Sequence, residues 1–329
     1  MSACSNAPSH PATAPTPAAP ADTSPRAPEE YVPAAGLRWL CLAQPRRIFR
    51  DSALRTLALE VVDQDRLDAF TMVTGVDLRE LESTAIAGYD LGTLYVAALA
   101  TPDGGAARAR FTERLSEGAI VRQPGPTLYR IAGTRGGIAR ALVSVHDRLL
   151  AVTSGDPSLV RVAEAYALGR LKSPTALKGT PLSALPSAPS DALVVVYFPG
   201  PFTGEWSHAA HGLLAGAQAL DVAIEARQAT LVVTVTLVGD WPHPSAQAAL
   251  EASARDLAQS STGQLFGLDK FENVRIVEHL HQLTWSAELP AAALVAGLRA
   301  AAIANVPEMF GEPEARPTGS PVDPAPEPR

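Results

Sequence analysis

Two cysteines are all that the 329 residues contain, Cys4 and Cys41, and that scarcity excludes a disulfide framework. A bridge between them would tie the apolar run LRWLCLA (residues 37–43) to an Ala/Pro-rich chain start, so Cys41 reads as a small buried hydrophobe. No run of about 18 apolar residues is present, so no segment reads as a membrane-spanning helix. The three residues ahead of Cys4 are too few for the apolar region of an export signal. Basic residues are also short, 27 against 34 acidic ones, for a formal net charge of −7. No Lys/Arg cluster stands out along the sequence. Because only a basic face neutralises phosphates, nucleic acid is set aside as a partner.

Catalytic signatures are missing too. GTRGGIAR (residues 133–140) lacks the Lys-Ser/Thr of a phosphate loop and sits between strand patterns, so it reads as a turn. DQDRLDAF brings Asp63, Asp65 and Asp68 together without the Gly and Glu of a calcium loop, which leaves helix capping and a solvated face. No GxSxG elbow occurs, and Ser154 has no pattern tying it to a base. Trp206 and Trp241 lie beside Pro/Gly turns, and packing is their expected role. No cofactor is implied, and an enzyme is not the expected class.

What is present is 47% apolar residues, enough for a real core, between two ends of different character. Residues 1–30 are Pro, Ala, Ser, Thr and charge, and residues 307–329 are acidic and Pro-rich. Neither can bury enough apolar surface to offset the entropy of ordering, so both are expected to be disordered. Between them the periodicities alternate. Residues 37–43 read as a strand; Asp51 or Ser52 caps a helical pattern, and Gly75 stops the next one. Residues 84–100 read as two strands around Tyr-Asp-Leu-Gly. A helix follows Gly104–Gly105, then three strands, then a helix opened by Ser154 or Asp156 with Pro157 in its first turn.

A Pro/Ser/Gly-rich stretch, residues 172–190, reads as a linker, after which the pattern restarts. Residues 192–202 resemble the first strand, WSHAAHGLLAGAQ reads as a helix, and a hairpin follows in which Leu231, Val233, Val235 and Leu237 alternate with Thr234 and Thr236. Residues 243–260 form a helical pattern, NVRIVEHLHQLTWSAEL an extended one, and an Ala-rich helix follows Pro290. The expected fold is α+β: two similar modules, residues 31–171 and 191–306, of mostly antiparallel sheet with helices packed on it. In layout this resembles exported bacterial proteins built from duplicated α+β modules, a resemblance that implies no activity.

The start Met1-Ser2-Ala3-Cys4-Ser5 resembles the end of a bacterial lipoprotein signal, in which small residues precede a Cys that becomes the acylated N-terminus. Met1 stands where an aliphatic residue is usual, and the basic and apolar parts of the signal do not precede it. The resemblance implies a lipid on Cys4 as the membrane contact, and Ser5 resembles the outer-membrane sorting position. The site is then the cell envelope, facing the periplasm or the surface; without an upstream signal it is the cytoplasm. One acyl chain binds marginally, so stable anchoring takes at least two. A tether of about 26 residues has a coil size near 30 Å and an extended reach near 80 Å.

Histidines are the remaining chemistry. Glu205, His208 and His211 fall at three-residue steps of a helical pattern, and His279 and His281 share one side of an extended one. Two such pairs meeting in space would make a Zn²⁺ or Ni²⁺ site. Three functions follow: a lipid-anchored envelope module that binds or scaffolds without catalysis, partnered by the membrane and an envelope protein or ligand; a metal-binding protein or metal-dependent hydrolase using His208, His211, His279 and His281; and a carrier of a hydrophobic ligand between sheet and helices.

Overall fold

The computed structural model describes residues 26–227, 230–241 and 245–299. The run LRWLCLA forms β1 (Leu37–Ala43). Three helices follow: α1 (Pro45–Arg50), α2 (Ser52–Val61) and α3 (Gln64–Thr74). Asp51 caps α2 by accepting from the amides of Ala53 and Leu54, Asp63 caps α3, and Gly75 ends α3 in the left-handed region at φ 70°. The first module continues through β2 (Leu81–Tyr89), β3 (Gly92–Leu99), α4 (Gly104–Glu113), β4 (Glu117–Gly125), β5 (Leu128–Arg135), β6 (Ile138–Val145), β7 (Leu149–Gly155) and α5 (Ser158–Ala167). At α5 the cap is shared: Pro157 holds the N-cap position and Asp156 accepts from the Ser158 amide at 2.7 Å.

The second module comprises β8 (Ala192–Pro199), a short α7 (Glu205–His208), β9 (Ala217–Arg227), β10 (Thr230–Gly239), α8 (Ser245–Gln259), α9 (Ser261–Leu265), β11 (Glu272–His279), β12 (Gln282–Pro290) and a closing helix over residues 291–299. The twelve strands of the described residues join one sheet in the order β11-β12-β10-β9-β8-β1-β2-β3-β7-β6-β5-β4, and every neighbouring pair is antiparallel. From the β1–β8 seam outward, β1, β2, β3, β7, β6 on one side repeat the sequence of roles of β8, β9, β10, β12, β11 on the other. The fold is thus α+β, with two similar modules sharing a continuous sheet. The β4–β5 hairpin is an addition to the first.

The stretch that reads as a linker is packed instead. It holds α6 (Ala176–Gly179) and a 3-10 turn at Pro181–Ala184, and buries Ala176 and Leu182 in the main core. Proline and serine there shape turns against the sheet rather than a free spacer. At the other end, Pro28–Tyr31 forms a 3-10 turn with Tyr31 buried in the same core. The two ends expected to be disordered lie largely outside the described residues.

The two faces of the sheet differ, and register lets them be read row by row. On the back face Thr236, Asp221, Tyr197, Leu40, Ala87, Leu94 and Thr153 are successive partners across seven strands, and all are buried. Leu159, Val160, Ala163 and Tyr166 of α5, with Tyr31, Ala176 and Leu182, cover this row. Fully burying one leucine such as Leu40 stabilises by about 1.5–3 kcal/mol. On the front face the helices cover the two ends of the sheet. α4 lies over β4–β6, with Gly104 against the Ser144 Oγ, while α8 and the turn at Ala210–Gly216 bury Leu237, Leu283 and Trp285. Lower on the same face Leu54 of α2 meets Leu231, Leu193 and Ala291.

Candidate functional site

Between the front-face helices runs a strip that they do not seal. Val222, Val196, Cys41, Ile86, Tyr95 and Val152 are direct register partners on β9, β8, β1, β2, β3 and β7. Each is partly exposed, Tyr95 reaching 39%, and none belongs to the three apolar cores. Six strands spaced about 4.8 Å apart make the strip about 24 Å long. Trp39 borders it at the upper end. Its indole crosses β2 at Gly88, where a Cβ would stand 2.2 Å from the Trp39 Nε1, so only glycine lets the ring lie there. Cys41, expected to be buried, is half-open on this strip, and its surroundings still raise its thiol above the ordinary value by desolvation.

The back face shows what the same sheet does where water reaches it. Beyond β9 its open residues on β10 and β12 include Thr234, Gln282, Thr284, Ser286 and Glu288, while Val277 at the β11 edge is 47% exposed. Over β10 and β12 the open back is polar; where the front is open over the module seam it is apolar. An apolar strip of this size left partly to solvent is a feature that marks interaction sites. Its chemistry is the non-directional attraction of aliphatic surface, worth about 0.8 kcal/mol for each methylene buried.

The sealed back face holds the perturbed acid. Asp221 is 5% exposed between Tyr197 and Thr236. Burial pushes its carboxyl up to about 6 against the opposing hydrogen bond from Thr236. Burial, then the charge of Asp221, carry the Tyr197 hydroxyl up to about 12. A second buried charge is neutralised directly: the Arg130 guanidinium donates to Glu164 of α5 at 2.7 Å, with Glu164 6% exposed. These groups face packed side chains, so they act on stability.

The histidines do not converge. The expected helix WSHAAHGLLAGAQ is broken after His208, and His211 takes a left-handed conformation (φ 55°) followed by Gly212 at φ 78°. Glu205, His208 and His211 therefore do not share a helical side. The extended stretch around His279 and His281 is likewise two strands, reversed at Leu280, so those two side chains do not repeat on one face. His211 pairs with Asp256 of α8 at 2.8 Å, and His281 Nδ1 with Asp240 at 2.8 Å. Among the described residues no group of three or more His, Cys, Asp or Glu side chains is placed to hold a metal. His243 and Cys4 lie outside the described residues.

Other expectations resolve into structure. Asp63 caps α3, Asp68 pairs with Arg79 at 2.8 Å, and Gly136 and Gly137 turn the β5–β6 hairpin with φ 58° and 79°. Trp241 donates its indole N–H to the Leu213 carbonyl at 2.8 Å, a packing role, while Trp206 is 60% exposed.

No family model matches the chain, and no curated protein matches it in sequence. Among solved structures, crystal form III of TP0453 superposes with a TM-score of 0.47 at 12% identity, covering 84% of this chain and 99% of that one. Crystal form I of TP0453 gives a TM-score of 0.47 at 12% identity, over 83% and 97%.

Proposed function

We propose that the chain is a lipid-anchored cell-envelope protein, held through Cys4, whose two-module body binds an apolar ligand without catalysing its conversion. The observation that carries the binding half is the partly exposed apolar strip from Val222 to Val152, which runs unbroken across six central strands at the module seam. A ligand chain laid across six strands would exchange water for aliphatic contact at about 25 cal/mol per Å² of surface covered. The anchoring half is supported by Ser2-Ala3-Cys4-Ser5 and the Pro/Ala/Ser composition that follows. The Pro28–Tyr31 turn packs on the core, so the body begins by residue 28. Ser5 supports placement at the outer membrane.

Mass spectrometry of the N-terminus from native membranes tests the anchor: a diacylated Cys4 is expected, and an unmodified Met1 or Ser2 removes it. Organic extraction of the purified Cys4→Ser chain tests the body. Acyl lipid is expected in the extract of that chain and absent from the Cys4→Ser, Val196→Asp double variant, which places a charge in the middle of the strip. Equal lipid in both, or none in either, removes the binding reading.

A further inference from the structure

The free edge of the first module has a composition at odds with the chain as a whole. Residues 104–148 carry eight arginines against three carboxylates, Glu113, Glu117 and Asp147, in a protein of net charge −7. Two of those carboxylates are already taken, Glu113 by Arg110 and Asp147 by Arg108. The fold then gathers arginines that are far apart in sequence. Gly133 on β5 has no room for a side chain, since a Cβ would stand 2.9 Å from Leu115 and 3.0 Å from the Glu117 carbonyl. The segment after α4 therefore lies directly against the β5–β6 hairpin, with Ser116 donating its amide to the Thr134 carbonyl at 2.8 Å. This sets Arg114, at the C-cap of α4, beside Arg135 and Arg140 of the hairpin, Arg140 being the register partner of Gly133. Desolvation first, then the charges of Arg135 and Arg140, lower the Arg114 guanidinium from its ordinary value. None of the three is in an ion pair among the described residues.

Exposed aliphatic side chains lie on the same strands. Ile120 and Val121 on β4 are 53% and 57% exposed, and Ile138 at the hairpin start is 54% exposed. Ile138 shares a face with Arg140, two residues on. Val121 lies on that same face, through its partner Ile131 and then Leu142. β4 is the outermost strand, its far side unpaired, and on its opposite face it carries the exposed Arg122 and Ile120. Basic residues interleaved with exposed aliphatics are the signature of a bilayer interface, where cations meet anionic headgroups and apolar side chains enter the acyl boundary. A nucleic-acid surface would offer aromatic rings for stacking in place of the aliphatics.

We infer that the β4 edge and the β5–β6 hairpin tip form a docking surface for the anionic headgroups of a lipid bilayer, with Arg114, Arg135 and Arg140 as the charge contacts and Val121 and Ile138 as the inserted groups. This extends the anchored reading by giving the body a preferred orientation at the membrane, and a tethered body needs only weak contacts of its own to adopt it. The test uses the full chain as Cys4→Ser, so lipidation does not enter. Flotation is measured with vesicles of phosphatidylcholine alone and with phosphatidylglycerol mixed in equally. Binding is expected only to the mixed vesicles, weakening as salt is raised. The triple variant Arg114→Gln, Arg135→Gln, Arg140→Gln should bind roughly a hundredfold more weakly, as three charges near an anionic surface imply. Val121→Ser with Ile138→Ser should weaken binding without changing its salt dependence. Equal binding to both vesicle types, an arginine variant that binds as the parent does, or tighter binding to a single-stranded oligonucleotide than to the mixed vesicles would each overturn the inference. An unmodified Cys4 in native membranes would end the anchored reading and leave this surface standing; a lipidated Cys4 on a body that ignores anionic vesicles would do the reverse.

Discussion

Leu40 and Cys41 are neighbours on β1 and point to opposite faces of one sheet, and their surroundings differ as much as any two positions in the molecule. Leu40 is fully buried, with Tyr197 and Ala87 as register partners beneath α5; Cys41 lies half-open between Val196 and Ile86. The back face is a finished core, the front face over the module seam an unfinished one. The repeated strand layout explains part of the contrast. Each module's first strand meets the other's at the seam, so front-face helices that cover the outer strands, α4 on one side and α8 on the other, stand farthest from the middle. The modules also part company after their last strands. α5 returns over the back face, whereas the closing helix begins at Ala291 among Leu54, Leu231 and Leu193 on the front. The back face carries the main core and the front strip is the proposed ligand surface, so substitutions on the two should separate stability from binding.

The largest effect is expected from Arg130→Met, which leaves the Glu164 carboxylate buried without its partner. About 3–5 kcal/mol of stability should be lost, read from denaturant midpoints at pH 7. Leu40→Ala comes next, at about 2–5 kcal/mol for a cavity in the centre of the back face. A third test titrates that face. With Asp221 pushed up to about 6 in the folded chain and an ordinary carboxyl in the unfolded one, the native state binds the extra proton. The stability this group provides is whole below about pH 4 and is lost as pH rises through about 6, up to about 3 kcal/mol. Asp221→Asn should flatten that part of the stability–pH curve, and an unchanged curve would show that Asp221 does not titrate there. The smallest effect belongs to the front: Val196→Thr replaces a methyl by a hydroxyl on a surface water already reaches, and should cost under about 1 kcal/mol. A loss as large as that of Leu40→Ala would mean that the strip is core as well.

Much of this fold is legible in the sequence, because strands and caps are local. Asp51, Gly75, the Tyr89–Gly92 turn and the alternation of β10 each state their own structure. β4 is not legible: Gly118 and Pro124 interrupt EGAIVRQPG, and its pairing with β5 is irregular at two places. The burial of Asp221 is hidden for a different reason. Leu220, Val222 and Ile224 alternate with Asp221, Ala223 and Glu225 as if the acids faced water, yet the acids' side of β9 is the covered one in the assembled sheet. Thr236, which reads as wetter, is 4% exposed for the same cause. The histidine geometry fails on two short reversals, at His211–Gly212 and at Leu280, that interrupt otherwise regular spacing. The front strip and the arginine group depend on which strands become neighbours, and neither β1–β8 pairing nor the contact of residue 115 with Gly133 has a local signal.

Cys41 offers a direct reading of the front face, because in the Cys4→Ser chain it is the only thiol. Its rate of alkylation by a small maleimide is measured at mildly alkaline pH, where the thiolate forms, with and without added palmitate. The expected result is a saturable slowing as palmitate fills the strip, abolished by Val196→Asp. A rate that stays the same at every palmitate concentration would contradict an apolar ligand seated between Val222 and Val152.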